Sequence, residues 1–161
     1  MQLAGSCHCG AVRFTLHSDH PYPYMLCYCS ICRKTAGSGG YAINIGGEAD
    51  TLEVHGREHL RVYRARVATA EGPRESPAER SFCELCASTL WVWDPRWPEL
   101  IHPFASAIDT PLPTPPQRTH IMLDSKPDWV APLTAGDDRV FADYPDESIA
   151  EWHARHGFHP D

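Results

Sequence analysis

Seven cysteines in three short clusters constrain this chain more than any other feature of its sequence. The clusters have the patterns Cys7-x-Cys9, Cys27-x-Cys29-x-x-Cys32 and Cys83-x-x-Cys86. Thiols at such spacing are typical of metal sites in a reducing compartment, where disulfides do not persist, and an odd number cannot pair completely. The alternative, small buried hydrophobic residues that cluster by chance, fits a single cysteine better than three clusters. The pattern therefore predicts metal binding.

The length and charge of the chain limit its organisation and its partners. A chain of 161 residues provides one hydrophobic core, so we expect a single domain over residues 1–161. The net charge of -7 provides no broad basic surface, which argues against nucleic acid and anionic membranes as partners. The sequence begins without the basic start and apolar run of a signal peptide, and no segment approaches the roughly 20 apolar residues that span a bilayer. The expected location is the cytoplasm.

The spacing of the cysteines divides them between two metal sites. Thiolate-only sets favour Zn²⁺, which forms tetrahedral sites with Zn–S bonds of about 2.3 Å, over iron–sulfur clusters. The two-cysteine clusters each supply half of a tetrahedron, and together they predict a closed structural site of Cys7, Cys9, Cys83 and Cys86. The middle cluster leaves one position open, as in catalytic zinc sites, and its ligands are Cys27, Cys29 and Cys32. We therefore expect two Zn²⁺ per chain.

A histidine or carboxylate that closes the middle site is the alternative to an open metal. The chain has ten histidines, of which His8, His55 and His102 are the candidates. Such a fourth protein ligand would leave no position for chemistry.

The segment after the third ligand of the open site indicates a role in substrate binding. Arg33 and Lys34 can bind a carboxylate, and the glycine-rich residues 37–40 can present backbone N–H groups to an anion or a developing oxyanion. Ser30 and Ser38 add hydroxyl groups. The alternative is a flexible turn with two solvated cations. The position of this segment beside the expected metal favours the binding role. Arg33, Lys34 and Ser38 therefore join the three cysteines as candidate catalytic residues.

Alternating apolar residues predict a mainly β domain. Val12, Phe14 and Leu16 lie on one face of a strand over residues 11–17. Similar patterns, bounded by turn-forming residues, predict further strands over residues 40–45, 51–54, 60–63, 89–93, 102–108 and 120–123.

The remaining segments have other patterns. Residues 68–80 and 109–118 contain several prolines, which predict a flap or inert loop and a polyproline-like surface crossing rather than central strands. Asp146 is expected to cap a short C-terminal helix that stops at Gly157. The Trp91–Trp93 pair shares one strand face, which would fill the core, line a pocket or form an interface.

The three cysteine motifs resemble the signatures of the glutathione-dependent formaldehyde-activating family. The matching sequences are GSCHCG at residues 5–10, CYCSICRK at residues 27–34 and FCELC at residues 82–86. Three linked motifs in this order are far more specific than one C-x-x-C. The resemblance makes residues 3–108 the zinc domain and residues 109–161 a C-terminal extension. Tyr28 stands where the family frequently has histidine.

The resemblance implies a fold, a division of the ligands and an activity. The implied fold is the mainly β, zinc-binding β-tent of stacked antiparallel sheets, and the ligand sets correspond to the closed and open sites above. The implied activity is that of a carbon–sulfur lyase, which adds a thiol such as glutathione to an aldehyde such as formaldehyde or cleaves the adduct. A small thiol or its adduct is then the partner. A non-catalytic, zinc-stabilised binding module of the same fold is the alternative.

Overall fold

The computed structural model describes residues 1–159, in which twelve strands and two α-helices are joined by turns and short 3₁₀ segments. The strands are β1 (Gln2–Ser6), β2 (Arg13–His17), β3 (Tyr24–Cys27), β4 (Ala42–Asn44), β5 (Gly47–Glu48), β6 (Glu53–His55), β7 (Leu60–Val67), β8 (Arg74–Cys83), β9 (Thr89–Trp93), β10 (Leu100–Pro103), β11 (Arg118–Ile121) and β12 (Arg139–Val140). The helices are α1 (Ser30–Thr35) and α2 (Ile149–Arg155).

The strands form three sheets, and this arrangement confirms the predicted mainly β class with a short C-terminal helix. A three-stranded sheet has the order β1-β2-β6, and a five-stranded sheet has the order β5-β10-β9-β8-β7; both are antiparallel throughout. The third sheet has the order β12-β11-β3-β4, and β11 runs parallel to both β12 and β3. Because β11 follows residue 109, the chain beyond that point supplies a strand that lies beside β3, which ends at Cys27.

The five-stranded sheet separates two apolar clusters. Side chains along each strand point alternately to the two faces of the sheet, and one cluster covers each face. Trp91 is 4% exposed and packs with Phe14 in the larger cluster, with ring centroids 5.1 Å apart. The adjacent residue, Val92, points to the other face and joins Cys27 and Cys32 in the smaller cluster. Trp91 is therefore a core residue, and it does not provide the exposed aromatic interface that a binding module would need.

The prediction that residues 68–80 form a loop is wrong for most of that segment. Only residues 68–73 form a turn, and β8 begins at Arg74 as an interior strand of the five-stranded sheet. Pro77 is tolerated because it lies in a bulge of β8. Residues 76–78 of β8 all fall opposite Ala65 of β7, and the pairing of the two strands shifts there. Strand β9 pairs only with residues 79–82, so Pro77 interrupts no hydrogen bond to that neighbour.

Two other boundaries differ from the sequence prediction. The strand predicted over residues 102–108 ends at Pro103 in β10, and residues 105–107 form a 3₁₀ turn. The N-cap of α2 is Ser148 rather than Asp146, because Ser148 and Glu151 form a reciprocal capping box. Gly157 has a φ of 72°, as the predicted helix stop requires.

The proline-rich residues 109–117 contain no helix or strand, as predicted, before β11 begins at Arg118. Within the described residues, neither helix is long and apolar enough to cross a membrane.

Ala87 has an unfavourable backbone conformation, with a φ of 59°, in the turn that links Cys83 to β9. This turn is closed by the Ala87 N–H, which donates to the Cys83 carbonyl at 2.8 Å. The left-handed region costs alanine about 1–2 kcal/mol, whereas glycine enters it freely at a smaller cost in chain entropy. Ala87→Gly is therefore expected to raise the free energy of unfolding by about 0.5–1 kcal/mol in urea titrations.

The matched control is Ala154→Gly on the exposed side of α2, where φ is helical and the same change should lower stability by about 1 kcal/mol. Destabilisation by both substitutions would contradict the assignment of strain to Ala87.

Candidate metal centres

The closed site brings together two loops that lie more than seventy residues apart in the sequence. Each of four cysteines offers its Sγ atom within 4.8 Å of the others: Cys7, Cys9, Cys83 and Cys86. The Sγ atoms of Cys7 and Cys9 are 3.5 Å apart, and those of Cys9 and Cys83 are 3.9 Å apart. Sulfurs around a tetrahedral Zn²⁺ with bonds of about 2.3 Å lie about 3.8 Å from each other. The donor set therefore has the spacing of a tetrahedral thiolate site.

Two tight backbone turns hold the ligands of the closed site. In the first turn, the Gly10 N–H donates to the Cys7 carbonyl at 2.9 Å, and the Val12 N–H donates to Cys7 Sγ at 3.2 Å. Gly10 has a φ of 75°, which favours glycine. The second turn lies at the end of β8, where Cys83 and Ser88 pair through the backbone. Amide donors aimed at sulfur stabilise thiolates, which are the metal-binding form.

Gly5 is needed next to this site because β1 and β2 approach the 105–107 turn there. A Cβ atom at Gly5 would lie 2.3 Å from the Phe14 ring and 2.4 Å from the Ala107 carbonyl oxygen. Only glycine fits this close approach, which explains why it precedes the first cysteine pair.

The thiols of the closed site share their protons unequally in the absence of a cation. The Ser88 hydroxyl and backbone N–H, with further backbone contacts, lower the pKa of Cys86 to about 5. The pKa of Cys83 is raised, chiefly by burial. A divalent cation removes this inequality, because coordination favours the thiolate form of every ligand.

The open site lies where β3 leads into α1. Cys27 is the last residue of β3, Cys29 is the N-cap of α1, and Cys32 lies in its first turn. The Sγ atom of Cys29 accepts a hydrogen bond from the Cys32 N–H at 3.3 Å, so the thiol occupies the position of a capping side chain. All three Sγ atoms lie within 4.8 Å of one another. Helix α1 was missing from the sequence prediction, and it is the element that brings Cys32 back towards the other two thiols.

The electrostatics of the open site favour one thiolate before any metal is considered. Hydrogen bonds from the thiols of Cys27 and Cys32, with the backbone N–H groups of α1, lower the pKa of Cys29 to about 2. The same contacts and burial raise the pKa of Cys27 strongly. Three sulfur donors around one charged centre match a soft, thiolate-binding ion.

None of the proposed fourth ligands reaches the open site. Within residues 1–159, no histidine or carboxylate joins the three cysteines as a ligand group. His8 is exposed beside Ser88, His55 is exposed on β6, and the Nδ1 atom of His102 lies 3.3 Å from the Ile45 carbonyl oxygen. The described part of the chain therefore offers three candidate ligands at this site.

The predicted substrate residues lie together, but on the side of α1 that faces the closed site. Arg33, Lys34 and Ser38 line a cleft of about 700 Å³, whose opposite wall includes His8 and Ser88. Ser30 is the first residue of α1 and does not line this cleft. The cysteines of the open site do not line this cleft.

A buried polar network supports the Cys27-Tyr28-Cys29 turn and explains the tyrosine at its centre. Tyr28 is fully buried, and its hydroxyl lies 2.9 Å from Nδ1 of His120 in β11. Burial lowers the pKa of His120, and its Nε2 atom lies 3.7 Å from Asp138. The sequence analysis missed His120, because its partner is more than ninety residues away and no local pattern connects them.

The chain is similar to known proteins over most of its length. Residues 2–125 match a family described as glutathione-dependent formaldehyde-activating enzyme. A Halomonas elongata protein, provisionally named a glutathione-dependent formaldehyde-activating enzyme, is 66% identical over 157 residues, which are 98% of this chain and 98% of that protein. A crystal structure of a Rhodobacter sphaeroides protein has a similar fold, with a TM-score of 0.51 and 25% identity over 68% of this chain and 91% of that one.

The family match extends through β11, which supplies His120 beside Tyr28, and it includes all seven cysteines. The chain belongs to the glutathione-dependent formaldehyde-activating family.

Proposed function

We propose that this protein is a zinc-dependent carbon–sulfur lyase that adds a thiol such as glutathione to an aldehyde such as formaldehyde, or cleaves the adduct. The observation that carries the proposal is the pair of unequal cysteine sets, one with four sulfur donors and one with three. Only the second set leaves a coordination position for substrate. Family membership supports the same chemistry, and the cytoplasm would supply the reduced thiol.

The three cysteines of the open site would hold the catalytic Zn²⁺, and the four of the closed site would hold a structural one. When bound at the open site, Zn²⁺ lowers the pKa of a coordinated thiol and stabilises a thiolate that leaves. The protein itself fixes the position of the sulfur, because Cys27 and Cys32 are each 5% exposed and packed in the apolar cluster. This packing excludes water and limits the directions from which an aldehyde can approach.

In this proposal, the cleft beside α1 binds the charged end of the thiol. Arg33 lines the cleft, and its buried Nε atom has no hydrogen-bond partner within residues 1–159. Lys34 adds a second positive charge, and Ser38 adds a hydroxyl donor. Two cations suit the carboxylates of a peptide thiol such as glutathione. The direct test is formation of S-(hydroxymethyl)glutathione from formaldehyde and glutathione, followed by NMR, at a rate above the spontaneous reaction; no acceleration with any thiol tested would contradict the proposal.

The metal content provides the first prediction from this proposal. Protein purified without chelator should contain two Zn²⁺ per chain by elemental analysis. Mild chelation should remove the ion with three protein ligands first, because the fourth position allows a competing ligand to enter. A single, tightly held Zn²⁺ per chain would contradict the proposed catalytic site.

The two cysteine sets should respond differently to the same substitution. Cys29→Ser is expected to lower lyase activity by at least about a hundredfold and to leave one Zn²⁺ in a folded protein, because the closed site remains intact. Cys83→Ser should lower the melting temperature sharply or prevent folding, because it breaks the metal link between two distant segments. Activity, zinc content and circular dichroism melting of both variants check this, and equal unfolding by both would refute the division of roles.

A further inference from the structure

Arg80 is a buried cation without a partner among the described residues. Its side chain lies in the middle of β8, and the residue is 7% exposed. Its Nε and Nη1 atoms are buried and have no hydrogen-bond partner within residues 1–159. No carboxylate in the same range forms a salt bridge with it, although Arg64, Arg96, Arg118, Arg139 and Arg155 all have such partners.

The strand register places Arg80 on the face of the sheet that covers the open site. Arg80 pairs with Val92 across β8 and β9, and it lies two residues from Ala78 on the same face of β8. Val92 and Ala78 both pack in the apolar cluster with Cys27 and Cys32. Arg80 therefore lies at the edge of this cluster.

The carboxylates near Arg80 are already paired with other groups. Asp94 is 6% exposed, and the Arg96 guanidinium donates two hydrogen bonds to its oxygens at 2.9 and 2.6 Å. Glu79 points to the opposite face of β8 and pairs with Arg64. A guanidinium remains charged at all physiological pH values, and a buried charge without a hydrogen-bonded partner is strongly unfavourable. The missing partner must therefore come from the contents of the site.

We propose that Arg80 is the anion-binding group of the open site and that its free N–H groups bind an anionic oxygen of the substrate. This inference rests on the proposed function and narrows its substrate class. The oxygen has two possible sources. One is a carboxylate on the thiol close to its sulfur, and the other is the aldehyde oxygen itself, which becomes negative as the adduct forms.

The second source corresponds to a definite step in the reaction. The thiolate sulfur donates an electron pair to the carbonyl carbon, so the C–S bond forms and the C=O π pair moves to the oxygen. Arg80 would donate hydrogen bonds to that oxygen and keep its own protons, and the oxygen would take a proton from water. Donors placed at a developing oxyanion act mainly on kcat, because the charge is absent from the bound aldehyde.

The experiment compares two small thiols on cobalt-loaded protein, in which sulfur coordination changes the visible spectrum. Mercaptoacetate carries a carboxylate and 2-mercaptoethanol does not. The variants are Arg80→Gln, Arg80→Lys, which keeps a charge, and Arg66→Gln as a control on the exposed face of β7. Binding is measured by spectral titration, and turnover of each thiol with formaldehyde is measured in the zinc protein.

Either source gives a distinct result. If Arg80 binds a carboxylate, the wild type binds mercaptoacetate at least about tenfold more tightly than 2-mercaptoethanol. Arg80→Gln then removes this preference without weakening the binding of 2-mercaptoethanol. If Arg80 binds the aldehyde oxygen, both thiols bind as before and Arg80→Gln lowers kcat by about a hundredfold to a thousandfold at unchanged KM. Arg80→Lys should retain part of either effect, and Arg66→Gln should show neither.

Other results overturn the proposal. A folded Arg80→Gln protein with unchanged binding and kcat would do so, and so would loss of cobalt from this variant, because the guanidinium would then be only a counter-charge to the thiolates.

If neither thiol changes the cobalt spectrum of the wild type, the proposed function fails, and a titration with acetate then decides the role of Arg80. Acetate should raise the melting temperature of wild type but not of Arg80→Gln; no shift in the wild type overturns the anion site. If Arg80→Gln does not fold, Arg80→Lys provides the same comparisons.

Discussion

The closed four-cysteine site is the constraint on which the rest of the arrangement depends. It links the end of β1, in the three-stranded sheet, to the end of β8, in the five-stranded sheet. A fixed position of Cys83 anchors the C-terminal end of β8, which spans Arg74 to that cysteine. The inner face of β8 carries Ala78 and Arg80 to the open cysteines. In the proposed function, a structural metal in the closed site would therefore position one wall of the catalytic site.

The other wall of the open site is built by the third sheet. Strand β3 ends at Cys27, and β11 lies parallel to it and places His120 against the Tyr28 hydroxyl. Asp138 extends this contact to the segment before β12, where it also pairs with Arg118. The turn between the first two ligands is thus held by residues that follow the last cysteine motif by more than thirty positions. Ligand geometry at the open site depends on the C-terminal part of the chain.

The sequence predicted the mainly β class and the two groups into which the seven cysteines fall, because both depend largely on local spacing. A C-x-C or C-x-x-C turn and an alternating strand such as Thr89–Trp93 carry their own signal. The features that the sequence did not predict depend on contacts with other residues of the fold. Pro77 is compatible with an interior strand because it lies in a bulge of β8 opposite Ala65. Ser148 rather than Asp146 is the N-cap of α2 because Glu151 completes the capping box. Arg80 lay inside the segment that was predicted to be a loop, so its period-two relation to the open site was hidden.

The two metal sites also differ in how their charge is balanced. Four thiolates and a divalent cation carry a net charge of about −2, and this centre lies near the surface, where amide N–H groups and the Ser88 hydroxyl contact its sulfurs. Three thiolates and the same cation carry about −1 in an apolar cluster, where a net charge is far more costly. A thiol that enters the proposed site as a thiolate would add a further negative charge to this centre. In the proposal above, the free N–H groups of Arg80 would then bind an anionic oxygen of the same substrate.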